Sequence, residues 1–359
     1  MSAAEQRLPQ ALAAFGLEGP GISVSRCGTG HINDTFLAEG PGFRRLVQRL
    51  NPTVFPHPDE VMANVTSVTH WLRRSIRQSG GDPERETLRF LPTTDGKPYF
   101  TDADGAAWRV YVYHDHSLSM ETIDSPETFA EAGRAFGRFQ RMLDGYPADT
   151  LAETIPHFHD TERRLSALFD AVRRDPLGRA QEVGEEIRFA AAREHDCGEA
   201  LRAWREGRLP LRVTHNDTKL SNVLFDSETR RAVCVIDLDT VMPGFSIFDF
   251  GDAIRSGANH CEEDERDLSK VSFDLELYRA CADGFLEGSG GSLTAEEIAF
   301  LPLGAKLMTL ECGIRFLTDY LEGDTYFRIQ RPGQNLDRCR TQFKLVSDME
   351  KNWEQMQLS

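Results

Sequence analysis

The sequence predicts an α+β protein with two lobes: a small β-rich N-terminal lobe over residues 1–115 and a larger, mainly helical C-terminal lobe over residues 116–359. The chain of 359 residues exceeds what one ordinary hydrophobic core supports, so two domains or lobes are expected. Residues 20–115 consist largely of short apolar runs, interrupted by turn dipeptides at Asp95-Gly96 and Asp104-Gly105. Apolar residues recur at helical spacing after about residue 120.

The first lobe is predicted to contain one main helix among its strands. The segment GISVSRCGTGHINDTFLAEG indicates two short strands around a glycine-containing tip, and FRRLVQRLN indicates a third. The segment PDEVMANVTSVTHWLRRSI has helical spacing, because its apolar residues fall on one face. These residues are Val61, Val65, Val68 and Leu72.

The second lobe is predicted to be built from helices with two short β runs between them. The segment SPETFAEAGRAFGRFQRMLDGY begins with Ser125, a residue type that caps helices. The β runs are LRVTHND and AVCVIDLD, and FLPLGAKLMTLECGIRFLTDYLEG predicts a further helix. One face of the first helix carries Phe129, Ala132, Phe136 and Phe139.

Composition excludes several classes of protein. The formal net charge of −16 argues against a broad nucleic-acid-binding face, which needs clustered Lys and Arg. No apolar run is long enough for a membrane span, and the N-terminus lacks the pattern of a signal peptide. Seven scattered cysteines without a CxxC pair predict free thiols in a reducing compartment. A cytoplasmic monomer with small-molecule partners is expected.

The segment 214–222, THNDTKLSN, contains the residues that phosphoryl transfer needs. Asp217 is able to accept a hydrogen bond from an attacking hydroxyl group, and Asn222 is able to offer an amide oxygen to Mg²⁺. Asp237 follows the apolar run AVCVI, and a carboxylate there is costly unless it is paired or binds a metal. The alternative is a polar turn, with Asp237 capping a loop.

The segments THNDTKLSNVLFD and VCVIDLDTVMPGFSIFDFGD resemble the catalytic core of the aminoglycoside phosphotransferase and choline kinase group. Four further segments, in the same order along nearly the whole chain, are similar to the N-acetylhexosamine 1-kinases within that group. They are GTGHINDTF, AWRVYVY, ETIPHFHDT and ECGIRFLTDYLEGDTYF. The resemblance implies a protein-kinase-like fold, ATP as co-substrate, Mg²⁺ as cofactor, and phosphorylation of the anomeric hydroxyl of N-acetylglucosamine or N-acetylgalactosamine.

The resemblance also implies roles for individual residues of the core. Asp217 would be the general base, and Asn222 and Asp237 would hold Mg²⁺. Lys219 would approach the transferred phosphoryl group, although a solvated loop lysine is the alternative. Asp249, within a DFG triplet, would brace the catalytic loop and not bind the metal.

The glycine-containing tip is expected to cover the ATP phosphates. Glycines allow the backbone to approach a ligand and turn its N–H groups inward, so Gly28, Thr29 and Gly30 are assigned to ATP. An ordinary hairpin turn is the alternative. The resemblance places His31 and Asn33 near the sugar.

The third strand departs from the pattern of kinases, which carry a lysine there, paired with a helical glutamate, to hold the α- and β-phosphates of ATP. Gln48 occupies the lysine position in this sequence, and Asn64 is a plausible partner on the helix. The hypothesis is a neutral pair of Gln48 and Asn64, with charge supplied by Arg49 or Lys219. Arg49 facing solvent is the alternative.

The remaining binding residues lie in the middle and near the end of the chain. Adenine is expected near residues 111–116 and against Tyr113, for which core packing is the alternative. Arg315 and Tyr326 match family positions that contact the sugar. For Arg315 the alternative is a salt bridge to Glu311, one helical turn earlier.

Three polar features are assigned supporting roles or left open. His215 is expected to stabilise the catalytic loop through backbone hydrogen bonds. The segment His157-Phe158-His159-Asp160 is expected to pack a loop and cap the next helix through Asp160 or Thr161. Asp239 is either a second metal contact or a cap.

Two other functions are compatible with the same motifs. The acceptor could be an aminoglycoside, choline or homoserine. A non-catalytic, kinase-like nucleotide-binding protein would be expected to lack the base or a metal ligand, and this sequence has both.

Overall fold

The computed structural model describes residues 2–27 and 32–358 and confirms the predicted fold class, with a small β-sheet lobe and a larger helical lobe. In chain order the strands are β1 (Ser23–Arg26), β2 (Asp34–Gly40), β3 (Phe43–Arg49), β4 (Phe90–Leu91), β5 (Phe100–Thr101), β6 (Ala107–Val112), β7 (Ser117–Ser119), β8 (Arg212–Thr214), β9 (Val223–Asp226), β10 (Ala232–Val235) and β11 (Met242–Gly244).

Helices account for most of the rest of the chain. In chain order they are α1 (Ala3–Ala14), α2 (Pro58–Gln78), α3 (Pro83–Glu86), α4 (Pro126–Met142), α5 (Thr161–Arg174), α6 (Gly184–Ala191), α7 (Glu194–Cys197), α8 (Glu199–Arg205), α9 (Ser246–Gly257), α10 (Leu275–Ser289), α11 (Ala295–Glu322) and α12 (Gln334–Lys351). A 3₁₀ turn at Leu220–Asn222 lies inside the catalytic segment.

The chain forms two compact units, and the first comprises residues 1–118, 149–155 and 224–242. Its main sheet has the order β1-β2-β3-β6-β4, with β5 also paired to β6. Strand β3 is antiparallel to both β2 and β6, and Gln48 therefore lies opposite Thr35 on one side and Arg109 on the other. This register determines which polar side chains of β2, β3 and β6 are neighbours.

Helix α2 of the first unit confirms the prediction from its apolar spacing. It begins with Pro58, whose fixed backbone suits the first helical turn. Its predicted apolar face is buried, since side chains three and four positions apart lie on one side of a helix. The buried residues of this face are Val61, Val65, Val68 and Leu72.

The second unit comprises residues 119–148, 156–223 and 243–359. The Ser125 hydroxyl accepts a hydrogen bond from the Thr128 N–H at 3.2 Å, which confirms the predicted cap of α4. Helices α4 and α10 pack with their backbones in contact, because a Cβ at Gly137 would lie 2.1 Å from the carbonyl oxygen of Phe285. The predicted apolar face of α4 is buried: Phe129, Ala132, Phe136 and Phe139.

Two expectations about the chain concern membranes and thiols. Within residues 2–27 and 32–358, none of the helices has the length and apolarity that crossing a membrane requires. All seven cysteines are free thiols, as their spacing predicted.

Candidate active site

The catalytic segment of the second unit runs from the end of β8 into the 3₁₀ turn, and Asp249 on α9 holds its start. The Asp249 carboxylate accepts the backbone N–H groups of His215 at 3.0 Å and Asn216 at 2.8 Å. It also accepts a hydrogen bond from Gln140 Nε2 at 2.5 Å. Burial raises the pKa of Asp249, although His215 and these donors favour the charged form. The expected bracing of the loop by Asp249 is therefore confirmed.

His215 and Asn216 give the loop its shape immediately before Asp217. His215 Nδ1 accepts the Asp217 N–H at 3.3 Å, which confirms the expected support by backbone hydrogen bonding. Asn216 has a left-handed backbone with φ of 64°. Asparagine adopts this conformation more readily than most residues, and such backbones concentrate at functional sites.

The Asp217 carboxylate receives two side-chain donors on a single oxygen. Lys219 Nζ and Asn222 Nδ2 each lie 3.0 Å from Asp217 Oδ2. The other oxygen, Oδ1, is therefore the one to which an incoming hydroxyl can donate. The Lys219 side chain is 42% exposed, so it is able to reach a ligand as well as Asp217.

The residues assigned to Mg²⁺ have suitable ligand atoms. Asn222 Nδ2 also donates to the Asp217 carbonyl oxygen at 2.7 Å, so the amide oxygen of Asn222 is the atom left for a hard cation. Asp237, in the first unit, directly follows β10 and Ile236 with a left-handed backbone of φ 60°. The described residues contain no cluster of three or more His, Cys, Asp or Glu placed to hold a metal. Mg²⁺ in nucleotide sites needs only one or two protein oxygens besides phosphate, and the oxygens of Asn222 and of Asp237 are each of the kind that the ion takes.

Gln48 belongs to a buried polar cluster whose centre is Arg109. The amide oxygen of Gln48 accepts hydrogen bonds from Arg109 Nε at 2.9 Å and from the terminal Nη2 at 2.5 Å. The other terminal nitrogen, Nη1, lies 2.5 Å from Asp239 Oδ1, an ion pair without a well-aligned hydrogen bond. The Gln48 amide nitrogen donates to Thr35 Oγ1 at 3.1 Å. The positively charged residue beside Gln48 is thus Arg109, on β6.

The hypothesis of a neutral pair between Gln48 and Asn64 is wrong. Asn64 Nδ2 donates to the carbonyl oxygens of Ala152 at 2.8 Å and Val241 at 3.0 Å, and its amide oxygen accepts the Ala152 N–H at 3.0 Å. Arg109 lies opposite Gln48 in the sheet and takes the contact instead. Asn64 therefore links helix α2 to the segments of Ala152 and Val241 within the first unit.

Arg49 neither faces solvent nor carries an unpaired charge. Its Nε lies 2.9 Å from the buried carboxylate of Asp102, and its side chain is only 12% exposed. Asp102 also accepts the Trp108 indole N–H at 2.8 Å. Arg49 therefore stabilises the interior of the first unit through its ion pair with Asp102.

Asp239 and Asn33 are the other members of the Arg109 cluster. Asn33 Nδ2 donates to Asp239 Oδ2 at 2.7 Å, and Asn33 Oδ1 accepts the Asn51 N–H at 2.9 Å. The contacts of Asp239 with Arg109 and Asn33 favour a structural role over a second metal contact. The neighbouring predicted residues Gly28, Thr29, Gly30 and His31 lie outside the described part of the chain.

The segment expected near adenine carries aromatic side chains in two environments. The Tyr113 ring lies under the Arg44 guanidinium at 4.0 Å. Tyr111 is packed against Phe90, with ring centroids 5.3 Å apart, and burial raises its pKa. Tyr111 is thus half-buried beside Phe90, and Tyr113 stays the predicted adenine contact.

Arg315 and Tyr326, which the resemblance assigns to the sugar, lie close together in the second unit. Arg315 Nη2 lies 3.5 Å from the Tyr326 hydroxyl, at the limit of a hydrogen bond. The Arg315 guanidinium is 5.5 Å from the Phe158 ring centre, 5.8 Å from that of Tyr326 and 5.4 Å from that of Phe327. Tyr326 is 70% exposed, so its ring and hydroxyl are accessible to a ligand.

The loop that carries Tyr326 is held by Asp319 near the end of α11. Its buried carboxylate accepts the backbone N–H groups of Thr325 at 2.9 Å, Tyr326 at 2.8 Å and Phe327 at 2.9 Å. Asn335 Nδ2 adds a fourth hydrogen bond at 2.9 Å. The Tyr326 backbone is thus fixed although its side chain is exposed.

Glu311 is bound by residues from the start of α5, not through a simple salt bridge with Arg315. Its carboxylate oxygens contact His159 Nδ1 at 2.9 Å and Thr161 Oγ1 at 2.8 Å. Asp160 caps α5 by accepting the Arg163 N–H at 3.0 Å, as predicted.

The sequence reasoning missed Arg109, Glu311 and Asp319 as organising residues. Each is a charged residue within an otherwise apolar strand or helix, in AWRVYV for Arg109 and in TLECGIRFLTDYL for the other two. A charge in such a setting is costly unless it is paired, and this cost is the signal by which the sequence could have identified them.

Solved structures with the same fold are kinase-like phosphotransferases. A microcompartment-associated aminopropanol kinase has 15% identity and a TM-score of 0.60, with 99% of each chain covered. An aminoglycoside phosphotransferase from Alicyclobacillus acidocaldarius has 17% identity and a TM-score of 0.59, with 97% of this chain and 96% of that chain covered. A spectinomycin phosphotransferase, solved with ADP and spectinomycin, has 13% identity, a TM-score of 0.56 and 98% coverage of each chain.

The family follows from the sequence itself. The profile of the phosphotransferase enzyme family matches residues 23–281, which is well over half of the chain. This protein belongs to that family.

Proposed function

We propose that the protein transfers the γ-phosphoryl group of ATP to the anomeric hydroxyl of an N-acetylhexosamine, giving the sugar 1-phosphate and ADP. The family supports phosphotransfer, and the complete set of Asp217, Asn222 and Asp237 supports a catalytic protein over a binding module. The sugar as acceptor is supported by the cluster of Arg315 and Tyr326.

One observation carries the choice of acceptor site. A continuous series of contacts within the second unit links the catalytic loop to Arg315. His159 contacts the carbonyl oxygen of Asn216 at 3.2 Å, the rings of His159 and Phe158 lie 4.4 Å apart, and Phe158 packs under Arg315. A guanidinium group, a phenol hydroxyl and aromatic rings suit a neutral sugar, which needs fixed hydrogen-bonding groups and an apolar face.

The residues of the second unit divide the chemistry as follows. Asp217 Oδ1 accepts the proton of the sugar's C1 hydroxyl. The oxygen of that hydroxyl bonds to the γ-phosphorus while the bond between the γ-phosphorus and the departing ADP oxygen breaks. Lys219 offsets charge on the transferred group, and Asn222 keeps Asp217 oriented. When bound, Mg²⁺ would neutralise the phosphates; Asn222 offers it an amide oxygen, and the family resemblance assigns Asp237, of the first unit, as a further ligand.

The first test is an acceptor panel with ATP and Mg²⁺, in which phosphorus NMR identifies the product. We expect turnover with N-acetylglucosamine or N-acetylgalactosamine and a phosphate on C1. The panel also includes an amino alcohol, an aminoglycoside, choline and homoserine. Turnover confined to one of those would replace the sugar assignment and leave phosphotransfer intact.

We expect replacement of Gln48 by alanine to raise the KM for ATP about tenfold, with a smaller change in kcat. We assign to Arg109 the role that a lysine on the third strand has in kinases. Gln48→Ala removes the amide oxygen that accepts two N–H groups of Arg109. A hydrogen bond to a charged group contributes about 1.5–3 kcal/mol, and about 1.4 kcal/mol corresponds to tenfold. Steady-state kinetics at saturating acceptor measure the effect.

The matched control is Gln342→Ala, which truncates another buried glutamine, on α12. It is expected to leave the KM for ATP unchanged. If the KM for ATP were unchanged in Gln48→Ala, the Arg109 cluster would have no role in nucleotide binding.

We expect Tyr326→Ala and Arg315→Lys each to raise the KM for the sugar about 10- to 100-fold while the KM for ATP stays within about threefold. Tyr326→Ala removes an exposed ring and hydroxyl, and Arg315→Lys retains charge but loses the planar fork that is able to bind two oxygens. The measurement is a KM for each substrate. Trp204→Leu, on an exposed aromatic residue of α8, is the control.

A further inference from the structure

His159 is a largely buried histidine that the proposed reaction does not use directly. It lies two residues before α5, next to the cap residue Asp160. Its side chain is only 9% exposed, and its ring packs against Phe158 and Phe248. Both ring nitrogens nevertheless have polar partners.

The two partners of His159 are both hydrogen-bond acceptors. Nδ1 lies 2.9 Å from Glu311 Oε1, and Nε2 lies 3.2 Å from the carbonyl oxygen of Asn216. A neutral imidazole has one N–H group and is able to satisfy only one of them. With Glu311 ionised, both contacts are hydrogen bonds only if the ring carries two protons and a positive charge.

Glu311 provides the countercharge that such a ring needs. Burial alone raises the pKa of Glu311, but His159 and Arg315 outweigh it, and its pKa lies below the usual value. Thr161 donates to the second carboxylate oxygen at 2.8 Å, so both oxygens have partners. A buried ion pair is stable only when its remaining polar atoms are satisfied in this way.

We propose that His159, held as an imidazolium by Glu311, is a positioning residue of the catalytic loop. Its Nε2 donates to the carbonyl oxygen in the peptide bond that joins Asn216 to Asp217. This bond fixes the left-handed backbone at Asn216, with φ of 64°, and hence the direction in which Asp217 presents its carboxylate. The inference rests on the proposed function only where catalysis is the readout.

The position of Glu311 connects this arrangement with the acceptor site. Glu311 and Arg315 are four residues apart on α11, so they lie on the same face of one helix. The helix that supplies the proposed sugar contact therefore also supplies the anchor of the catalytic loop. Both depend on the same turn of α11.

Two neutral replacements separate positioning from packing, because each reproduces a different ring nitrogen. The amide nitrogen of glutamine takes a place similar to Nε2, so His159→Gln retains a donor to the Asn216 carbonyl. The amide nitrogen of asparagine takes a place similar to Nδ1, so His159→Asn retains only the contact with Glu311. His159→Ala retains neither.

We expect His159→Ala and His159→Asn to lower kcat about 10- to 100-fold, because small displacements of a catalytic group have effects of that size. The KM values for both substrates should stay within about threefold. His159→Gln should recover most of the lost kcat. The control His157→Asn changes an exposed histidine of the same loop, where φ is 58° and asparagine is tolerated, and should behave like the original protein. Equal kcat values for the glutamine and asparagine variants would overturn the proposal.

The protonation state is tested on the unaltered protein and does not depend on an acceptor substrate. Proton–nitrogen NMR of the histidine side chains near neutral pH should show both nitrogens of His159 carrying protons, with the signals assigned by their loss in His159→Gln. A ring with a single N–H group would overturn the proposal. If no acceptor of the panel is phosphorylated, the proposed function fails, while this NMR result still decides the state of His159.

Discussion

Replacement of Asp217 by asparagine should lower kcat about 1000-fold while ATP binding stays within about threefold. General base catalysis by a side chain contributes roughly 10²- to 10⁴-fold. Asparagine retains the size of the side chain and an oxygen that can accept from Asn222, which lies 3.0 Å from the carboxylate. The loss in kcat should therefore reflect the missing proton acceptor and not a collapsed loop. Single-turnover kinetics and a nucleotide-binding titration measure the two quantities.

The contact with Lys219 complicates this experiment, because Asp217→Asn also breaks an ion pair of 3.0 Å. Lys219→Met measures the contribution of the lysine alone, and the double variant closes a thermodynamic cycle. We expect Lys219→Met to lower kcat less than Asp217→Asn does. Asp170→Asn, which neutralises an exposed carboxylate on α5, serves as the control for charge. A variant at Asp217 with full kcat would exclude this residue as the base.

The sequence predicted those features that depend on neighbouring residues. The apolar face of α2, the cap of α4 at Ser125 and the cap of α5 at Asp160 follow from spacings of three and four residues. Such spacings have the same meaning in almost any helix. The bracing role of Asp249 was also predicted, although from family resemblance and not from local pattern.

The cluster around Arg109 could not be predicted in this way, because it depends on the register of the sheet. The strand patterns of β3 and β6 indicate strands but not which residues face each other. The pairing that places Gln48 opposite Arg109 is fixed only when the sheet forms. Without that register, the sequence pattern indicates Asn64 as the partner of Gln48.

The contact between His159 and Glu311 was missed for a related reason. The two residues are 152 positions apart, and no periodicity connects them. A glutamate within the apolar helix α11 indicated that a partner was needed, but the sequence offered Arg315 at helical spacing. Tertiary packing supplied a histidine instead.

The second large effect is expected at Asp249, where alanine and asparagine should behave very differently. Asp249→Ala removes the acceptor of three donors: the backbone N–H groups of His215 and Asn216, and the amide of Gln140. Each buried donor left without a partner costs about 1–3 kcal/mol. We expect a loss of about 3–5 kcal/mol in the free energy of unfolding, measured by urea denaturation, and no detectable phosphotransfer.

Asp249→Asn should retain most of the stability because Gln140 is able to adapt. The Gln140 amide oxygen is buried without a hydrogen-bond partner, so rotating that amide by half a turn presents an acceptor to the new N–H₂ group. The oxygen of asparagine then accepts from the loop, and the expected loss is about 1 kcal/mol. Adding Gln140→Leu to Asp249→Asn should remove this adaptation and the stability with it. Equal stability of the alanine and asparagine variants would show that the loop is held by other contacts.

Asp319→Ala provides the comparison that separates loss of stability from loss of a particular loop. Asp319 accepts three backbone N–H groups from the segment of Tyr326 and the amide of Asn335, against two backbone N–H groups and one amide at Asp249. A similar loss in the free energy of unfolding is expected, because the number of donors left without partners is similar. The kinetic result should differ, with a raised KM for the sugar and a kcat that is retained in the folded fraction. If both alanine variants had a lower kcat and an unchanged KM for the sugar, the two carboxylates would not support separate loops. The assignment of one loop to the base and the other to the sugar contacts would then be wrong.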